Sequence, residues 1–129
     1  MNDWLLDTNA LIWLFEGSAR MDSARKLFSM PGARVYISAV SWWEIAIKTR
    51  IGKFPINIPL LESYVDQYDF FELPITRNYI TAYRKLPNLR NLHKDPFDHM
   101  LLAQAIACPM RLITGDSILA DYSSLVMVI

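Results

Sequence analysis

The sequence predicts an α/β fold, a three-layer sandwich with a central, mostly parallel sheet flanked by helices. Three observations carry that prediction. Short apolar runs alternate along the chain with segments of helical periodicity, the pattern of strands joined by helical crossovers. Apolar residues make up 53% of the chain and only 4 residues are Gly, so the composition supports a packed core and excludes disorder. No repeat, low-complexity stretch or linker interrupts this order, and 129 residues suit one domain over 1–129.

In chain order, Trp4 to Asp7 reads as a short buried strand, and Thr8 to Phe15, with apolar residues at 11, 12, 14 and 15, as a helix ended by Gly17. A second helix over Ser23–Met30 stops at Pro31-Gly32. Arg34–Ile37 is a strand, and Ser38–Ile51 a long helix closed by Gly52. Pro55 and Pro59 mark a loop before a helix over Leu60–Tyr68 and a strand over Phe70–Leu73. Thr76–Leu86 is helical and leads into a polar stretch, Pro87–Lys94. The remaining elements are a helix over Asp95–Ala107, a strand over Arg111–Thr114, a short helix over Asp116–Tyr122 and a strand over Leu125–Val128.

Charge narrows the function classes. The formal net charge is zero, which argues against nucleic-acid binding through bulk charge. Its distribution is uneven, however. No acid occurs from Leu73 to Lys94, a segment holding Arg77, Arg84, Lys85, Arg90 and Lys94, and none occurs from Ile45 to Leu61. An acidic pocket beside a basic surface and a set of ordinary solvated faces both fit this pattern. The lone Cys108 excludes an intramolecular disulfide and reads as a small buried residue. The N-terminus has no basic leader, and no apolar run reaches the roughly 18 residues of a bilayer span. A cytoplasmic protein without a membrane partner is expected.

Four carboxylates stand in or beside strongly apolar segments: Asp7 after Trp4-Leu5-Leu6, Glu44 between Trp43 and Ile45, Asp98 in Asp95-Pro96-Phe97-Asp98, and Asp116 after Thr114-Gly115. An ionised carboxylate is costly there unless a cation meets it. Asp7 and Asp116 each follow a predicted parallel strand, where open α/β sheets place their ligand sites. Each acid also has a structural reading. Asp7, or Thr8, caps a helix; Asp116 caps the short helix after it; Asp98 complements a helix dipole; Glu44 pairs with Lys48 one turn on. Asp95 before Pro96 is mainly an N-cap, with a place in the outer layer of a site. Glu44, in the middle of a helix, is the one that capping does not account for. As a set, the four point to a hard divalent metal held by oxygen ligands.

At these residues the chain resembles the PIN-domain family, specifically the VapC-type ribonuclease toxins of toxin–antitoxin pairs. The resemblance rests on Leu5-Leu6-Asp7-Thr8-Asn9, Ser41-Trp42-Trp43-Glu44-Ile45-Ala46-Ile47-Lys48, His93-Lys94-Asp95-Pro96-Phe97-Asp98, Leu102-Ala103-Gln104-Ala105 and Leu112-Ile113-Thr114-Gly115-Asp116, and runs over almost the whole chain. The Trp-Glu-Ile-Ala-Ile-Lys and Asp-Pro-Phe-Asp stretches are its most specific parts. The chain departs at His99, where many relatives carry Arg. That exchange replaces a fixed cation with a pH-sensitive one, or leaves a helix-surface His without a role.

The resemblance implies a PIN-like form of the sandwich and Mg²⁺- or Mn²⁺-dependent hydrolysis of RNA by a toxin that inhibits translation or growth. Asp7 and Asp98 would ligate the metal most directly, and Glu44 and Asp116 would complete the pocket. Thr8, Asn9, Asp95 and Thr114 would hydrogen-bond the carboxylates or the substrate, turn and cap bonding being the alternative. Arg84, Lys85, Arg90 and Lys94 would contact RNA phosphates. A cognate antitoxin and a homodimer are the implied protein partners. Trp13, Phe15, Trp42 and Trp43 offer surfaces for either, or simply pack the core. Two rivals stand beside the nuclease. One is a catalytically silent PIN-fold interaction module, which calorimetry with Mn²⁺ separates. The other is a receiver-type phosphoryl-transfer domain, which needs an acceptor Asp and a Lys that the sequence does not place.

Overall fold

The computed structural model describes residues 2–88 and 94–129. Strands β1 (Asp3–Leu6), β2 (Arg34–Ser38), β3 (Phe71–Leu73), β4 (Arg111–Thr114) and β5 (Val126–Val128) form one sheet in the order β3-β2-β1-β4-β5. Every pairing is parallel, with Leu5 opposite Tyr36 on one side and Leu112 on the other. The sheet is therefore wholly parallel, and each strand is followed in the chain by a helical or 3₁₀ crossover to the next strand rather than by a hairpin. The helices are α1 (Thr8–Phe15), α2 (Asp22–Phe28), α3 (Ala39–Arg50), α4 (Ile58–Gln67), α5 (Arg77–Arg84) and α6 (Pro96–Ala107). A 3₁₀ turn at Ala19–Met21, unmarked by any apolar period, precedes α2, and the expected helix after Asp116 is a 3₁₀ turn over Ser117–Asp121.

Strand periodicity builds the two outer layers. Trp4, Leu6, Val35, Ile37 and Ile113 turn to one face and pack against Leu11, Leu14, Ile45 and Leu61. Leu5 and Leu112 turn to the other and meet Leu101, Leu102 and Leu119. Both faces of the central strands are covered, so those strands read as continuous apolar runs instead of alternating ones. Gly17 (φ +73°) and Gly52 (φ +75°) follow the ends of α1 and α3 in the left-handed region, the conformation that terminates a helix at little steric cost to glycine. Strand order runs outward in opposite directions from β1, so the carboxyl ends of β1 and β4 flank the switch point where such sheets open a crevice.

Candidate active site

Asp7 leaves the end of β1 and caps α1. Its backbone N–H donates to the Ile113 carbonyl at 3.0 Å, and its carboxylate accepts from the Ala10 N–H at 2.7 Å. Asp116 follows β4 by two residues and accepts from the Ile118 N–H at 3.0 Å. Thr114 joins the pair: its hydroxyl oxygen accepts from the Asp116 N–H at 3.0 Å, while the hydroxyl hydrogen-bonds the Asp7 carboxylate. Asp98 comes from a third direction, in the first turn of α6. Asp95 caps that helix by accepting from the N–H groups of Phe97 and Asp98. Capping does not exhaust these carboxylates, because each cap bond uses one oxygen and leaves a second to turn elsewhere.

Asp7, Asp98 and Asp116, with Asn9, line one open cleft of about 430 Å³ at the switch point. Burial pushes the Asp98 carboxyl up to about 8, reinforced by the charges of Asp95, Asp7, Glu44 and Asp116. Burial likewise raises Asp7 to about 6, with Glu44 and Asp116 adding to the shift and hydrogen bonds from Thr114 and Ala10 opposing it. Neighbouring negative charge thus adds to burial in making both Asp7 and Asp98 harder to ionise.

Glu44 is held differently. It is buried, at 4% exposure, and does not line the cleft. One oxygen accepts from the Thr8 hydroxyl at 2.5 Å and the other meets the Lys48 ammonium at 2.5 Å; Thr8 also reaches the Ser41 hydroxyl at 3.1 Å. The pair with Lys48 forms, with its Glu44 end buried and its Lys48 end partly exposed. Arg84, Lys85 and Lys94 are exposed and are not among the cleft's lining residues, and Arg90 lies outside the described residues. His99 is half-buried between aromatic rings, its centroid 6.4 Å from Tyr83 and 5.9 Å from Tyr122. Of the aromatic residues offered as partner surfaces, Trp13, Phe15 and Trp42 pack against the core, and only Trp43 is largely exposed. Sequence reasoning missed Arg20, which lines the cleft together with Trp13 and Gly115.

Among the described residues, no three His, Cys, Asp or Glu side chains meet in an arrangement that would by itself hold a metal ion. The fit lies in the donor set. Carboxylate oxygens gathered on an open cleft, with Asp7 and Asp98 raised by burial and by neighbouring acids, suit a hard cation such as Mg²⁺, which keeps several waters and takes a few carboxylates rather than a closed protein cage.

The PIN domain family model matches residues 4–125. The chain belongs to the PIN domain family. PIN domains are nucleases, and the matched span holds all four carboxylates. No curated protein matches by sequence. Among solved structures, this PIN domain is similar to a chain of VapBC2 from Rickettsia felis bound to a promoter DNA fragment, with a TM-score of 0.70, 16% identity and 96% of each chain covered. It is also similar to a chain of a toxin–antitoxin complex from Klebsiella pneumoniae, with a TM-score of 0.65, 22% identity, and 96% of this chain and 95% of that one covered. FitAcB from Neisseria gonorrhoeae is a further similar structure, with a TM-score of 0.62, 19% identity and 96% of each chain covered. At these identities the likeness is one of fold.

Proposed function

We propose that this PIN domain is a metal-dependent endoribonuclease and acts as the toxin of a toxin–antitoxin pair in the cytoplasm, inhibiting translation or growth. The observation that carries the reading is the convergence of Asp7, Asp98 and Asp116, from three separate segments, on one cleft at the switch point of the sheet. These three would hold Mg²⁺ or Mn²⁺, with Glu44 contributing its charge from behind through the positions of Thr8 and Lys48. A divalent ion bound there supplies Lewis acidity toward the phosphate and lowers the pKa of a water. Thr114 and the α1 N-terminus keep Asp7 aimed, and Asp95 fixes the first turn of α6 and so the position of Asp98. No nucleophilic side chain is required.

Similarity to chains of toxin–antitoxin complexes supports an antitoxin as partner. An aromatic groove of about 340 Å³, lined by Leu14, Phe28, Tyr64, Tyr68 and Phe70, suits its amphipathic helix. Exposed Trp43, packed edge-on against Phe97 with centroids 5.4 Å apart, suits a homodimer contact. The test is cleavage of total cellular RNA, with end-mapping, by the wild type and Asp98→Asn. Wild-type cleavage that requires Mg²⁺ or Mn²⁺ and disappears in the variant is expected. Cleavage undiminished in the variant at excess metal overturns the assignment.

A further inference from the structure

The cleft has a cationic side as well as an acidic one. Trp13 lies in the last turn of α1, and the chain then doubles back. The Ser18 N–H donates to the Trp13 carbonyl at 2.9 Å, and the Ser18 hydroxyl accepts from the Arg20 N–H at 3.2 Å. This return lays the Arg20 guanidinium on the Trp13 ring, 3.7 Å from the centroid. The stack leans on Gly115, between Thr114 and Asp116. A Cβ at 115 would stand 2.5 Å from the tip of the Trp13 ring and 3.1 Å from Arg20 Nη2. A residue with no side chain is thus used where the stack meets the loop that carries Asp116.

Stacking holds the guanidinium by its face and leaves its hydrogen-bonding edge in the plane. Arg20 makes no ion pair with another described residue, so its fork is not consumed by Asp116 or Asp7 although it shares their cleft. A ligand that needs acids through a cation on one side and a planar fork of donors on the other is a phosphodiester: guanidinium matches its paired oxygens bidentately, which an ammonium does not. Arg84, Lys85 and Lys94 have no such placement.

We propose that Arg20, fixed flat on Trp13, is the substrate-positioning cation of this site and grips a phosphate of the RNA strand as the strand crosses the aspartates. The proposal rests on the nuclease reading, and the experiment separates the two. Binding of a fluorescent single-stranded RNA oligonucleotide is measured by anisotropy across a salt series, in the Asp98→Asn background and without divalent metal. Arg20→Gln is expected to weaken binding several-fold at low salt and to flatten the log–log salt slope by about 0.7, the value of one phosphate contact on a single strand. Arg20→Lys is expected to keep the slope and recover only part of the affinity, because the charge returns without the fork. In the metal-loaded enzyme with intact Asp98, Arg20→Gln should raise KM more than it lowers kcat. An unchanged slope and affinity in Arg20→Gln overturns the role of Arg20 while leaving the nuclease reading intact. Failure of the Asp98→Asn parent itself to bind RNA removes both.

Discussion

Two kinds of acid stand at or behind the cleft, and they differ in how their charge is met. Glu44 is saturated from within, by the Thr8 hydroxyl and the Lys48 ammonium. Asp7 and Asp98 line open space and carry raised pKa values, about 6 and about 8, with neighbouring acids among the causes. A carboxylate with its own counter-charge keeps the fold stable, whereas carboxylates raised by burial and by neighbouring acids carry a cost that a divalent cation would relieve.

The strongest way to break this contrast is to neutralise one acid of each kind. Asp98→Asn should lower the RNA-cleavage rate by about 10²-fold or more, about 3 kcal/mol or above in the barrier. It should also raise the thermal midpoint of the metal-free protein at pH 8, since it removes a charge the fold holds against desolvation and repulsion. Glu44→Gln should do the reverse in stability, lowering the midpoint by removing the partner of Lys48. Cleavage kinetics and calorimetry on both variants check it. Equal stability changes of the same sign would erase the distinction.

The next effect is on pH. Both shifted aspartates have folded-state pKa values above the ordinary 3.8, so between these limits the folded protein holds protons that the unfolded chain has released. Stability of the metal-free protein is then fully favoured near pH 4 and falls as pH rises, through about 6 for Asp7 and about 8 for Asp98. The loss expected from pH 5 to 8.5 is on the order of 3 kcal/mol after discounting Asp98 for its partial exposure. Thermal melts in a chelator across that range measure it, and Mn²⁺ at the upper end should restore the midpoint. A midpoint that rises with pH would contradict the shifts.

Most of the frame was legible because it obeys local rules. Leu5 and Leu6 face opposite layers, so β1 shows as an unbroken apolar run, and Gly17 and Gly52 stand where the helices stop. The positions of Asp7 and Asp116 followed from those strands. Less legible was anything decided across the fold. Thr8 looked like a cap residue, yet its hydroxyl reaches Glu44, 36 positions away. Trp42 and Trp43 are adjacent in sequence, but one packs on the core and the other is 59% exposed, a difference set by helix phase against α6 and the sheet. Arg20 belongs to a 3₁₀ turn with no apolar period. The signal that could have found it is Gly115, a glycine directly before a candidate ligand, which marks a close approach by some other side chain.

Lys48→Met sharpens the comparison from the saturated side. It leaves the Glu44 carboxylate buried with the Thr8 hydroxyl alone. Removing one partner of a fully buried pair costs about 3–5 kcal/mol. The Lys48 side chain is 31% exposed, so water takes up part of the loss and about 2 kcal/mol is expected. Urea unfolding of Lys48→Met and of the double variant Glu44→Gln/Lys48→Met tests it, with the double variant recovering a share of the stability. No recovery would mean that Lys48 acts through its packing against Phe54, where its ammonium lies 5.0 Å from the ring centroid, and not through Glu44.

The smallest expected effect falls on the open side. Gly115→Ala adds a methyl group where the Trp13 ring stands 2.5 Å away, too close for any real contact. The ring must move, and Arg20 with it. The indole is partly buried, however, and the cleft beside it has room, so the displacement should cost about 1 kcal/mol, the low end for an overpacked site. Serine at 115 should behave alike, because the obstacle is the Cβ itself and not the hydroxyl it would carry. The Thr8–Glu44–Lys48 group has no part in this contact and should be untouched. The discriminating measurement is the change in RNA affinity on adding each substitution to the Asp98→Asn background, beside the change in stability. If the stack positions the guanidinium, affinity falls by more than the stability loss accounts for; if affinity holds while stability drops, Gly115 serves packing alone.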